Sequence, residues 1–306
     1  FMYRFNLNTL NIDENLNKKD DFLILATSME LKSIKERLSL DDDTFNECLI
    51  FDENIKLDSL DKYDFLSINY FYIKKEAIAI FKELNMYMSD NYILVVCDED
   101  DSIYSFIKNI MINKKPLDTA NYFFSIVYSI FKQIIINQFE NLEKLEDIIL
   151  KIEDDLINNI NDIEKINYIR FVTRNIVKNT RPLLYISDML IKENSRYKIP
   201  KDTSKYNIQS LDFSVEKLYT FSLSSRELAD KLLDIYSSNV NKKTNDLITK
   251  LTLLTAISSP LTIISGVYGM NFKVMPFLEF QYGYYLTLFI MFIIISIGVF
   301  KLKKYL

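Results

Sequence analysis

The stretch Leu251–Phe272, LTLLTAISSPLTIISGVYGMNF, holds 22 residues without a charge between Lys250 and Lys273. At 1.5 Å of rise per residue, a helix of that length crosses the roughly 30 Å hydrocarbon layer of a bilayer. A second run of 21 uncharged residues, 280–300, follows between Glu279 and Lys301. Two membrane spans at the C-terminal end therefore decide the fold. The second, with LTLFIMFIIISIGVF over 286–300, is almost pure hydrocarbon and reads as lipid-facing. The first carries Thr252, Thr255, Ser258, Ser259, Thr262, Ser265 and Asn271, a polar load suited to neighbouring helices or water rather than to acyl chains.

Flanking charge sets the orientation. Lys242, Lys243 and Lys250 precede the first span, Lys301, Lys303 and Lys304 follow the second, and the connecting segment holds Lys273 against Glu279. The positive-inside rule then places both termini in the cytoplasm. In the first thirty residues Arg4, Asp13, Glu14, Lys18 and Lys19 interrupt any apolar core, so no secretory leader is read there.

Upstream of the first span neither Pro nor Gly occurs between Lys201 and Ser259. Leu211, Val215, Leu218, Phe221, Leu228, Leu232 and Ile235 keep a three-and-four spacing, which predicts one helix from about 205 to 267. Such a helix is about 95 Å long. Two further helices are predicted before it: one running about forty residues from Asp118, and one over 163–193 kinked at Pro182. Residues 1–118 read as an α/β domain, with strands at 22–26, 63–73 and 91–96 and helices at 30–38 and 44–49. The chain is thus expected to be an α+β membrane protein. Its expected layout is a cytoplasmic α/β domain over 1–118, a helical part with a long stalk helix over 119–250, spans at 251–272 and 280–300, an outer loop at 273–279, and a basic tail at 301–306.

Composition excludes several functions. The 42 acidic and 37 basic residues give a net charge of −5, against a nucleic-acid partner and in favour of cations. Histidine is absent, which removes His-dependent nucleophiles and His-ligated zinc. Cys48 and Cys97 are far apart and read as reduced thiols. With four glycines and no GxxxxGK[ST] loop there is no phosphate cradle, and an enzyme is the least favoured reading.

Asn245, Ile248, Thr252, Thr255, Ser259, Thr262 and Gly266 recur every 3.5 residues on average, with Leu251 beside Thr252. One reading makes this stripe a pore lining, with hydroxyl rings above a bulky apolar gate at Ile248 and Leu251. The other makes it a small-residue packing seam between two helices. Pro260, within the span, deprives the Ala256 carbonyl of its helical donor. At the outer end Gly269 is expected to supply backbone freedom and Asn271 an amide oxygen, an acceptor suited to the tightly held waters of Mg²⁺.

Tyr268-Gly269-Met270-Asn271 with Phe272, Met275-Pro276, Gly283-Tyr284 and the lysine-rich tail resembles the CorA family of divalent-metal (magnesium/cobalt) transporters. Leu251-Thr252, Pro260-Leu261-Thr262, Asp234-Ile235-Tyr236 and Arg181-Pro182-Leu183 extend the resemblance. It implies a homopentamer in the inner membrane, with a cytoplasmic funnel whose stalk helix continues into the pore. It also implies a selectivity mouth of Gly269, Met270 and Asn271, a pore lined by Asn245, Thr252, Thr255, Ser259, Thr262 and Gly266, and a hydrophobic gate of Ile248 and Leu251. Mg²⁺ is then both cargo and regulator, the regulatory ion using Asp234, with Co²⁺ or Ni²⁺ as further cargo. Two departures stand out: Ser259 where relatives often carry methionine, and Lys273 where many carry an acid.

The carboxylate that would partner Asp234 is not placed by the resemblance. Asp41–Asp43 and Asp98–Asp101 are candidates, although acidic runs at turns are usually just solvated. The same applies to the acids between Glu140 and Asp155. The expected function is passive Mg²⁺ uptake driven by the membrane potential and gated by intracellular divalent cation. The alternatives are a transporter of Co²⁺, Ni²⁺ or Zn²⁺ with the same architecture, or a two-span sensor or scaffold.

Overall fold

A computed structural model describes residues 2–12, 20–50, 55–74, 78–113, 122–158, 162–185, 203–273, 275 and 280–302. The chain forms two compact units, 1–233 and 234–306.

The first unit is built on a seven-stranded sheet of β1 (Tyr3–Asn6), β2 (Asn11–Ile12), β3 (Phe22–Ala26), β4 (Lys56–Ser59), β5 (Asp64–Ile73), β6 (Ala79–Met88) and β7 (Tyr92–Val96), in the order β2-β1-β3-β7-β6-β5-β4. Among the described strands only β3 and β7 run parallel, Phe22 opposite Tyr92 and Ala26 opposite Val96. Their sequences, FLILA and YILVV, are buried throughout, as centrally placed parallel strands require. One face of the sheet packs Ile24, Phe65, Tyr87, Leu94 and Val96 against Leu31, Ile34 and Phe45. Those last three come from the short helical region α1 (Ser28–Leu31), α2 (Lys35–Leu38) and α3 (Asp42–Glu47).

Helix α4 (Ser102–Asn113) follows β7, and α5 (Tyr122–Ile157) then runs beside β5. Gln138 and Asn141 of α5 accept from the backbone N–H groups of Phe71 and Ile73 at 3.1 and 3.0 Å. These amides satisfy β5 beyond the end of β4, where an open edge would otherwise invite foreign pairing. Helix α6 (Ile163–Thr180) is capped by Asp162, which accepts from the Lys165 N–H at 3.1 Å.

The predicted strands at 22–26, 63–73 and 91–96 correspond to β3, β5 and β7. Strands β1, β2, β4 and β6 and helix α4 were not legible. The single helix predicted over 30–38 is instead α1 and α2, because the chain turns between them and Ser39 takes a left-handed conformation, φ 52°, to end α2. Helix α6 does not continue kinked through Pro182. It stops at Thr180 and tightens into a 3-10 turn over Arg181–Tyr185, since proline offers no N–H to the preceding turn. The remainder of the predicted helix, 186–193, lies outside the described residues.

Helix α7 (Thr203–Tyr268) is a single element of 66 residues, about 100 Å at 1.5 Å per residue. It passes through Pro260 without a break. Helix α8 (Gly283–Leu302) follows. Both are long and apolar enough to cross a membrane. The α+β class, with two apolar C-terminal helices, is as the sequence predicts.

Candidate functional site

In the second unit α7 and α8 meet along one face of each. Leu253, Ile257, Pro260, Leu261 and Ile264 are half-buried on α7, and Thr287, Met291, Ile294 and Gly298 on α8. Both sets recur at three and four residues, the signature of a contact stripe on a helix. The approach is tightest at Gly298, where an added Cβ would lie 2.5 Å from Ile257 Cγ1. Toward the C-terminal end of α7, Ile264 and Tyr268 face Tyr284, Thr287, Leu288 and Met291 across a cavity of about 570 Å³.

The stripe singled out in the sequence lies on the other side of α7. Ile248 and Gly266 are each nine residues from Ile257, which at 3.6 residues per turn is two and a half turns, or the opposite face. Asn245, Ile248, Leu251, Thr252, Thr255, Ser259, Thr262 and Gly266 are all exposed. A Cβ added at Gly266 would meet nothing within 4 Å. The residues are therefore brought to one face of one helix, and that face is not the seam with α8.

Two of the stripe's hydroxyl groups are already oriented. Thr255 Oγ1 donates to the Leu251 carbonyl at 2.9 Å and Thr262 Oγ1 to Ser258 at 3.0 Å. A hydroxyl that spends its proton on its own helix keeps its lone pairs outward. The face thus offers acceptors, which suit a cation and the water around it.

At the C-terminal end of α7 Gly269 N–H donates to Ser265 at 2.9 Å and Gly266 at 3.2 Å, and Met270 N–H to Val267 at 3.2 Å. The sequence reading of Gly269 needs correction here. No glycine has positive φ, so left-handed freedom is not what this position uses. A Cβ at Gly269 would lie 3.2 Å from the Ser265 carbonyl oxygen, so the requirement is close approach as the helix tightens to its end. The Ser265, Gly266 and Val267 carbonyls are likewise engaged rather than open. Met270 and Asn271 follow, both exposed, and no described residue hydrogen-bonds the Asn271 carboxamide.

Asp234 is exposed on α7, and among the described residues no three His, Cys, Asp or Glu side chains gather to hold a metal. The acidic runs have local structural work. Asp41 caps α3 by accepting from the Asp43 N–H at 2.9 Å, and Asp42 pairs with Lys35, whose ammonium holds the Asp42 carboxyl below the usual carboxylate range. Asp101 is buried and accepts from the Tyr70 and Tyr72 hydroxyls and, at 3.0 Å, from the Ile103 N–H, tying α4 to β5. Burial, then the Asp101 charge, pushes the Tyr70 phenol above its usual range. Asp98 lies 3.6 Å from Lys82. Sequence reasoning missed Gly298 and its contact stripe; a lone glycine within so apolar a run was the available signal.

A sheet-based α/β unit joined through a long helix to two apolar spans, with an acceptor-lined exposed face, defines a two-span membrane protein of the cation-transport class. Residues 22–304 match the family described as CorA-like Mg2+ transporter protein, and the chain belongs to that family. The cobalt/magnesium transport protein CorA of Thermotoga maritima is 27% identical over 265 residues, spanning 82% of this chain and 72% of the relative. The magnesium transport protein CorA of Campylobacter jejuni is 39% identical over 111 residues, 36% of this chain and 34% of the relative. In structure the chain is similar to the complete CorA magnesium transporter of Methanocaldococcus jannaschii, with a TM-score of 0.81, 20% identity, and coverage of 98% of this chain and 96% of that one.

Proposed function

We propose that this chain is one subunit of a homopentameric, passive Mg²⁺ channel of the inner membrane, with both termini cytoplasmic. Residues 1–118 and 119–250 form the cytoplasmic α/β domain and funnel, 251–272 the pore helix, 273–279 the outer loop, 280–300 an outer helix, and 301–306 a basic tail. The observation that carries this reading is the exposed stripe opposite α8, which ends at an Asn271 amide that no described residue engages.

Each part has a stated role. Mg²⁺ gives up its inner water shell reluctantly, so a neutral ring of Asn271 oxygens at the Gly269-Met270-Asn271 mouth receives the hydrated ion by accepting from those waters. Asn245, Thr252, Thr255, Ser259, Thr262 and Gly266 line the path beyond it with acceptors and free space. Ile248 and Leu251 form an apolar constriction that closes by dewetting. Intracellular Mg²⁺ bound at Asp234 against a neighbouring subunit holds the funnel closed. The membrane potential supplies about 2.3 kcal/mol per charge per 100 mV, and about twice that for a divalent ion. Co²⁺ and Ni²⁺ follow the same path.

Complementation of a magnesium-requiring strain tests the reading. Asn271→Ala should lower uptake by about tenfold or more, the cost of a lost acceptor ring, while the protein reaches the membrane at normal levels. Wild-type uptake by that variant would overturn the proposal and favour a sensor or scaffold role.

A further inference from the structure

Transport leaves unused a cleft of about 290 Å³ in the first unit, bordered by Ser28, Glu47, Lys82, Glu83, Asn85 and Asp98. Asn85 is 4% exposed. Its Nδ2 donates to Glu83 Oε1 at 2.5 Å, and because a carboxylate only accepts, this bond fixes the orientation of the amide. Asn85 Oδ1 is thereby left buried without a partner. Asn69, 2% exposed, stands directly across the β5–β6 ladder from Glu83, and neither of its amide atoms is paired. The same sheet face is apolar at Phe65, Tyr87 and Val96, so packing alone calls for carbon here and not for two under-bonded amides.

The chemistry of an occupant follows from the lining. Asn85 presents an open acceptor, and three carboxylates, Glu47, Glu83 and Asp98, border the cleft against two lysines, Lys82 in the lining and Lys56 on Glu47, which leaves an excess of one negative charge. A ligand that fits is therefore positive and rich in donors. A metal ion fits less well. Lys56 holds Glu47 at 2.6 Å, Lys82 lies 3.6 Å from Asp98, and among the described residues no metal-holding group of three assembles. We propose that this cleft binds a small primary-ammonium cation, its N–H groups donating to Asn85 Oδ1 and the Glu83 carboxylate.

Calorimetry on the full-length, detergent-solubilised protein with 1,4-diaminobutane tests this. Saturable binding is expected, weakened about tenfold or more in Asn85→Leu, as loss of one charge-assisted hydrogen bond requires. Glu83→Gln keeps an acceptor for the Asn85 Nδ2 but removes the charge, so it should weaken binding by a similar factor, and it serves as the test should the leucine variant fail to fold. Tetramethylammonium, a cation without N–H donors, should not compete, and Asn271→Ala should leave the Asn85-dependent binding unchanged. Absence of binding at millimolar ligand, meaning that water alone fills the cleft, would overturn the proposal. So would affinity indifferent to both Asn85→Leu and Glu83→Gln, or Asn85-dependent displacement by Mg²⁺.

Discussion

Gly266 on α7 and Gly298 on α8 both sit in apolar helices, yet their surroundings differ completely. A Cβ added at Gly266 meets nothing within 4 Å, whereas one at Gly298 falls 2.5 Å from Ile257. The second glycine lets two helices approach; the first keeps an exposed face small. Small residues in a membrane helix thus carry two different meanings, and position relative to the α7–α8 contact separates them.

The largest expected effect is at the contact. Gly298→Leu should destabilise the protein by about 1–3 kcal/mol through overpacking against Ile257, read as a lowered thermal midpoint in detergent. Ile257→Ala in the same chain should restore part of that loss, so a double-mutant cycle with no coupling would break the comparison. Gly266→Ala should leave the midpoint unchanged or raise it, since its Cβ meets open space and alanine favours a helix by up to about 1 kcal/mol. A fall as large as that of Gly298→Leu would mean that the opposite face is packed after all.

A smaller effect concerns the thiols. Burial, against a hydrogen bond with the Tyr87 hydroxyl, pushes the Cys48 thiol up to about 12, and burial with the Asp101 and Asp98 charges raises Cys97 as well. A folded-state value above the unfolded one means that this stabilisation is complete below the ordinary thiol range and is lost as pH rises toward 12. Native protein at pH 8 should therefore resist thiol alkylation at both positions and become labelled on unfolding. Ready native labelling would contradict the burial of both groups.

Much of this was legible in the sequence, and what was not has physical reasons. Charge-free runs bounded by Lys250, Lys273, Glu279 and Lys301 mark the spans because a bilayer tolerates few charges at any position. The 3.5-residue stripe was visible too, but periodicity says which residues share a face and not which face meets α8; that required Ile257 against Gly298. Strand β6, AIFKELNMYM, mixes Lys82 and Glu83 with apolar residues, and its identity comes from ten pairings with β5. The acidic run at Asp98–Asp101 could not be divided from sequence, because only the fold buries Asp101 beneath two tyrosines while leaving Asp98 beside Lys82.

The central claim is that the face of α7 opposite α8 borders the path of the ion. With Cys48 and Cys97 buried as a silent background, the most direct test places single cysteines at Thr255, Ser259 and Thr262 and, for contrast, at Ile257, then measures Mg²⁺ uptake before and after a water-soluble thiol reagent. Modification should block uptake at the first three positions and leave the Ile257→Cys protein unaffected. Block at Ile257→Cys with no effect at the other three would place the path on the wrong side of the helix and contradict the account.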